Sequence, residues 1–293
     1  MVSKWVDKNV RYIFSLPAVL FVALMVVFPL AYTGWLSFHE WSMSGTEAPK
    51  WVGLENYLAL IKDTRFWEAT GRTLYFSFGV VVAETLLGVL IALLLNRSFK
   101  FKNLVKTLFL LPMVSTPVAI AMVWMLIYEP TVGFANFLLG KFGIDPQLWL
   151  ASSSTVLHSL MLVDIWEWTP MITLIVLGGM TTLQSEPYES AVVDGANRWQ
   201  IFWKITFPLL LPTIVVAMLL RMIDALKTFD LIYATTQGGP GNSSETLNTY
   251  GYVLGFSFFK VGLASALIML FLLLVAMVSL FFVYVRKKAG VDQ

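Results

Sequence analysis

Two stretches carry the residue types best suited to chemistry, VDIWEWTPM (Val163–Met171) and RMIDALKT (Arg221–Thr228), and each is embedded in a long apolar run. In the first, Asp164, Glu167, Trp168 and Met171 recur at the three-and-four spacing that places them on one helix face. Arg221, Asp224, Ala225 and Thr228 repeat that spacing in the second. Carboxylates accept hydrogen bonds from hydroxyls, and an indole lies well against C–H faces. The set suits a polyhydroxylated solute such as a sugar, polyol or glycoside, and Arg221 extends it to an acidic derivative. A plainer role uses the same residues, with Arg221 paired to Asp224 or Asp164 to hold helices together. Glu84, alone in another apolar run, reads as a buried structural partner. An ionisable group inside a membrane costs about 2.5–3.5 kcal/mol on insertion scales, so each of these needs a partner or a cavity.

Other chemistries find little support. The chain has no cysteine, so disulfides, thiolate metal sites and a cysteine nucleophile are excluded. No GxxxxGK[ST], HExxH or GxSxG pattern occurs. Its two histidines, His39 and His158, fall at the edges of apolar runs, where an interfacial role suffices. No metal, nucleotide or other cofactor is expected on this chain, and a formal charge of +2 gives no reason to expect nucleic acid. If chemical energy drives this protein, another subunit supplies it. The rival is a self-contained carrier in which Glu84, Asp164 and Glu167 relay protons.

The elements that position these residues follow from composition. Of 293 residues, 58% are hydrophobic and 13% charged, far from the roughly one quarter charged of soluble domains. Six apolar runs reach the length of a membrane helix, at roughly 12–36, 73–95, 104–127, 156–180, 205–226 and 263–285. The alternation of a membrane barrel is missing, so the expected class is all-α, a polytopic membrane protein read as one domain over 1–293. The first run exceeds the ~7–15 residue apolar core of a cleaved signal and reads as an uncleaved span. Pro170 and Pro212 could break or kink their helices.

Short basic clusters set the orientation. Lys4, Lys8 and Arg11, then Arg97, Lys100, Lys102 and Lys106, then Arg198 and Lys204, then Arg286, Lys287 and Lys288 fall on one side and hold twelve of the 20 Lys and Arg. Both termini and the 185–204 loop are therefore expected in the cytoplasm. Loops 37–72, 128–155 and 227–262 lie outside, the last with the turn-rich QGGPGNSS.

The inner loop EPYESAVVDGANRWQIFWKITFPLLLP (Glu186–Pro212) is more elaborate than a connector requires. Ser185 is placed to cap a helix with Glu186 and Pro187 in its first turn, and Gly195 to end it in the left-handed conformation. Asn197 and Gln200 form a second start signal. Tyr188, Ala191 and Val192 make a small apolar face, and the acids Glu186, Glu189 and Asp194 suit a protein partner better than anionic lipid.

This loop resembles the EAA loop of binding-protein-dependent ABC importer permeases: Glu189, Ser190, Ala191, then Gly195, then Ile205, Thr206, Phe207 and Pro208, with every spacing kept. Ser190 stands where the pattern has alanine, and Phe207 where it has leucine. Phe229–Phe259 and VGLENY (Val52–Tyr57) are similar to segments of the sugar-type, MalF-like permeases, as is the six-span length. The resemblance implies the type I importer permease fold in a bacterial cytoplasmic membrane. Tyr188, Glu189, Ser190, Ala191, Asp194, Gly195 and Ala196 then form a coupling segment docked on a cytoplasmic ATPase, Glu189 meeting a basic residue there. It further implies a second homologous permease subunit, two ATPase subunits that hold ATP and Mg, and an extracytoplasmic solute-binding protein. Solute-contacting positions carry over onto Asp164, Glu167, Trp168 and Met171 and onto Arg221, Asp224, Ala225 and Thr228. Their identities differ from those of MalF, so position carries over and maltose does not.

Overall fold

A computed structural model describes residues 2–288. Five helices among them are long and apolar enough to cross a membrane, and one sharply bent helix pair makes a sixth candidate. The chain divides into two compact units, Met1–Phe66 with Gly251–Leu272, and Trp67–Tyr250 with Leu273–Gln293.

In the first unit, α1 (Val2–Leu36) carries an apolar stretch, Phe14–Leu36, that is largely exposed until Leu36 is buried at its end. The side chains of Lys4, Lys8 and Arg11, part of the orientation argument, lie outside what is described. A two-stranded antiparallel hairpin follows, β1 (His39–Glu40) with β2 (Lys50–Trp51), and then α2 (Glu55–Lys62). The VGLENY segment locks this hairpin. Asn56 donates to the carbonyls of Ser37 and His39 at 2.9 and 3.0 Å, and the Tyr57 hydroxyl lies 2.6 Å from that of Ser37. His39 is buried against Trp35, ring centroids 3.9 Å apart, and so serves packing.

The second unit holds the candidate site. Helix α3 (Thr64–Leu95) begins well before the expected 73, because Thr64–Arg72, which mixes charged residues with Phe66, Trp67 and Ala69, extends the same helix. The expected straight span at 104–127 is instead two helices, α4 (Lys102–Val114) and α5 (Pro117–Ile127), meeting at 98°. Ser115 and Thr116 are extended there. A residue before proline is disfavoured in the helical region, whereas Pro117 suits the first turn of a new helix, so the span breaks at this point. After α6 (Phe134–Lys141), α7 (Val156–Thr181) crosses in one piece with Pro170 inside it. Then come α8 (Glu186–Val193), α9 (Arg198–Ile201), a π-helical turn (Phe202–Thr206) and α10 (Phe207–Leu226), which accommodates Pro212 without a break. Short helices α11 (Asp230–Thr235) and α12 (Leu247–Tyr252) precede α13 (Val261–Lys288).

Two apolar clusters build the core of this unit. One joins Phe76, Val80, Ile120, Leu160, Val163, Met222 and Ile232, and the other Ala92, Ile172, Val176, Leu210, Ile214 and Ala217. Small residues let membrane helices approach closely. At Gly88 on α3 a Cβ would stand 2.8 Å from Ile172 on α7, so glycine is required at that crossing. Buried threonines Thr73, Thr85, Thr169 and Thr173 return their hydroxyl protons to carbonyls one turn back, whereas the buried Ser77 hydroxyl on α3 has no partner among the described residues. The QGGPGNSS turn is ordered: Ser244 is buried and donates to the Gly239 carbonyl at 2.7 Å. The adjacent Glu245 carbonyl accepts from Arg72 at 2.9 Å.

Candidate functional site

Along each of three helices a charged residue sits between the two apolar clusters: Glu84 on α3, Asp164 on α7 and Arg221 on α10. They meet. Arg221 donates from Nε to one Glu84 oxygen at 2.8 Å and from Nη2 to the other at 3.1 Å, a two-pronged fork, and Nη2 also donates to Asp164. All three side chains are no more than 2% exposed. Planar fork geometry makes arginine–carboxylate pairs of this kind strong and directional. Hence the guanidinium ties three helices together, and the structural role expected for Glu84 acquires a named partner. Asp224, the alternative partner one helical turn away, is exposed and makes no salt bridge to Arg221 among the described residues.

Beside this cluster lies a cavity of about 280 Å³. Asp164, Glu167, Trp168, Arg221, Asp224 and Thr228 all line it, so two helix faces recognised from spacing converge on one space. Two expected positions do not reach it. Ala225 is buried in the apolar core and Met171 is half-buried elsewhere on α7. Both sit on the right face by spacing, but Ala225 packs into the cluster with Phe76, Val163 and Met222, and Met171 stands one turn beyond the cavity-lining Trp168. Trp168 lies against Arg221, whose Cζ is 5.2 Å from the ring centroid, so one indole face is already taken. Glu167 is 2% exposed and makes no hydrogen bond or ion pair among the described residues.

Pro117, Lys227 and Asp230 also line the cavity, and the sequence reading missed them. Pro117 arrives through the break in the third span, and Lys227 and Asp230 through the turn between α10 and α11. That turn is held by Asn248, which donates to the Lys227 carbonyl at 2.7 Å. The proline was a legible signal of the break; the other two required knowing that the chain folds back.

At the opposite end of α7, the 185–204 loop is built from two local motifs. Gly195 has φ +76°, its N–H bonds the Val192 carbonyl at 3.1 Å, and the Ala196 N–H reaches back to Ala191 at 2.9 Å. This pair of bonds is the Schellman stop that glycine permits. Asn197 and Gln200 then exchange side chain to backbone bonds, each 2.9 Å, in a capping box. Ser185 does stand at the start of α8, but its backbone is already helical and its side chain makes no capping bond, contrary to expectation. Glu189, Ser190, Asp194 and Gly195 are exposed, and Ala191 and Ala196 half-buried. Val192 and Val193 are bare at 65% and 87% exposure. Tyr188 turns the other way, into a crevice with Leu93, Asn96, Met180 and Thr206.

Residues 84–291 match the model of a family described as binding-protein-dependent transport system inner membrane component, and the chain belongs to that family. It is 37% identical to a probable ABC transporter permease protein of Sinorhizobium fredii, over 91% of this chain and 86% of that one. Identity is 34% to the trehalose/maltose transport system permease protein MalF of Thermococcus litoralis, over 98% and 95% of the two chains. For the sulfoquinovosyl glycerol transport system permease protein SmoG of Agrobacterium fabrum it is 33%, over 98% and 94%. The fold matches a chain of the bacterial alginate ABC transporter crystallised with an alginate pentasaccharide-bound periplasmic protein. There the TM-score is 0.85 at 22% identity, over 97% and 96% of the chains. The protein is thus a multi-pass permease subunit of a binding-protein-dependent ABC importer, and ATP hydrolysis belongs to a separate subunit.

Proposed function

We propose that this subunit forms half of the membrane pathway for a sugar, polyol or glycoside, and that the cavity between α7 and α10 receives it. The observation that carries this reading is the cavity itself, which sets an indole and several carboxylates around one space in an otherwise apolar layer. Carbohydrate is supported further by the relatives named for trehalose/maltose and sulfoquinovosyl glycerol transport. A second homologous permease completes the pathway, an extracytoplasmic binding protein delivers the solute, and two ATPase subunits bind ATP and Mg. Both termini and α8 face the cytoplasm.

In this scheme α8 is the coupling element. Its Schellman stop and the capping box that follows make a helix–bend–helix of defined shape, which suits transmission of a rigid-body displacement. Glu189, Val192 and Val193 face the ATPase, while Tyr188 engages the inner ends of α3 and α7. Closure of the ATPase dimer then moves the spans around the cavity and alternates its access.

Trp168→Ala in the complete importer, reconstituted in proteoliposomes, tests the site with trehalose and maltose as first probes. Loss of one stacked indole removes about 1–2 kcal/mol of contact, so uptake is expected to fall about tenfold while the complex still assembles. Unchanged uptake of a transported probe would return Trp168 to a packing role.

A further inference from the structure

We infer that the cavity accepts uncharged or cationic polyols, such as amino-substituted glycosides, and refuses carboxylated or sulfonated ones. This rests on the carbohydrate pathway proposed above and narrows its solute.

The case for an acidic solute depends on Arg221, and Arg221 is not free. Its charge is met by both oxygens of Glu84 and by Asp164, its side chain is 1% exposed, and Trp168 lies over it. An anion could reach the guanidinium only by displacing a buried carboxylate from its ion pair. Remaining charge around the cavity is mainly negative. Glu167, Asp224 and Asp230 line it together with Asp164, against a single further cation, Lys227, which is exposed at the turn into α11.

Glu167 sharpens the argument. A buried carboxylate without a hydrogen-bond donor is costly, and an ionised carboxylate can only accept. Glu167 is buried, lines the cavity and has no hydrogen bond or ion pair among the described residues, so no side chain of the protein competes with a donor entering that space. Hydroxyls and ammonium groups are donors. Carboxylates and sulfonates bring acceptors and a like charge.

The test is direct binding to the assembled permease–ATPase complex in lipid nanodiscs, read by scintillation proximity with no binding protein present. Tritiated methyl glucoside, methyl glucosaminide and methyl glucuronide serve as probes matched in ring and differing in charge. The glucuronide is expected to bind at least about tenfold more weakly than the glucoside, as like charges a few ångströms apart demand in a partly water-excluded site. Glu167→Gln should lower the ratio of glucosaminide to glucoside affinity by about tenfold. Asp224→Asn, at an exposed position, should move it the same way by less, and keeps the test open if the first variant does not assemble. Glucuronide binding equal to that of the glucoside, or ratios unmoved in both variants, overturns this inference alone. Binding of none of the three overturns the carbohydrate reading and this inference with it.

Discussion

Arg221 on α10 grips both carboxylate oxygens of Glu84 on α3, a residue 137 positions earlier in the chain. With Asp164 on α7 as the third member, one buried guanidinium fixes how three membrane helices meet. The cavity opens beside this cluster, so the residues that look most suited to binding a solute are partly committed to holding the site's walls.

Removing the arginine alone should therefore damage the fold more than the chemistry. Arg221→Leu leaves two buried carboxylates without their counterion, at a cost of about 3–5 kcal/mol. Thermal unfolding of the purified importer should show a clear drop in melting temperature. Replacing all three together, with Glu84→Leu, Asp164→Leu and Arg221→Met, should recover most of it, since a matched apolar set is often as stable as a buried ion cluster. An unaltered melting temperature in the single variant would show that the cluster carries little of the packing.

Glu189 gives a different signature. It is exposed on α8 and makes no salt bridge among the described residues, so Glu189→Lys should leave stability within about 0.5 kcal/mol of the parent. Solute-dependent ATPase activity and uptake in proteoliposomes should lose their proportionality. A variant that hydrolyses ATP and imports solute in the parental ratio would remove Glu189 from the coupling contact.

At Gly195 the prediction concerns backbone alone. Its φ is +76° and a Cβ there would touch nothing within 4 Å, so the cost of Gly195→Val lies chiefly in the left-handed conformation, which a β-branched residue adopts least readily. That penalty is about 1–2 kcal/mol. Gly195→Asn should be milder, because asparagine tolerates this region. Uptake should rank glycine, asparagine, valine; equal uptake in all three would show that the bend does not transmit motion.

Acidification should loosen the turn after α5. The Glu129 carboxylate accepts from the Val132 N–H at 2.6 Å and the Thr131 N–H at 2.8 Å, and these bonds, with the Val132 bond foremost and the Thr131 hydroxyl helping, hold its carboxyl below the usual glutamate range. A depressed native value means the stabilisation is complete above the unfolded value of about 4.3 and fades as pH falls through the native one. Amide exchange at Thr131 and Val132 should stay slow down to that value and quicken below it, and Glu129→Gln should abolish the dependence.

Much of this was readable in the chain because it is local. Apolar length marked five of the membrane crossings, and three-and-four spacing set Asp164 with Glu167 and Trp168, and Arg221 with Asp224 and Thr228. The Asn197–Gln200 box and the Gly195 stop formed as residue type dictates. Spacing alone overextended the faces to Met171 and Ala225, since it says which side a residue is on and not how far the neighbouring helix covers that side. The broken third span was signalled by Pro117 but overruled by apolar length, and Ser185 had the right type in a backbone already too helical to cap.

By itself, then, the sequence determined the all-helical membrane architecture, the shape of the α8–α9 loop and the two faces that bear charge. These depend on hydrophobic length, helical period and capping bonds within a few residues. Only the tertiary structure decided which carboxylates own Arg221 and which stay open. Asp224 is one turn away and loses, while Glu84 and Asp164 come from other helices and win. The physical reason is desolvation: a guanidinium carried into the apolar core must be met there, and its partners are whichever carboxylates the helix packing buries beside it.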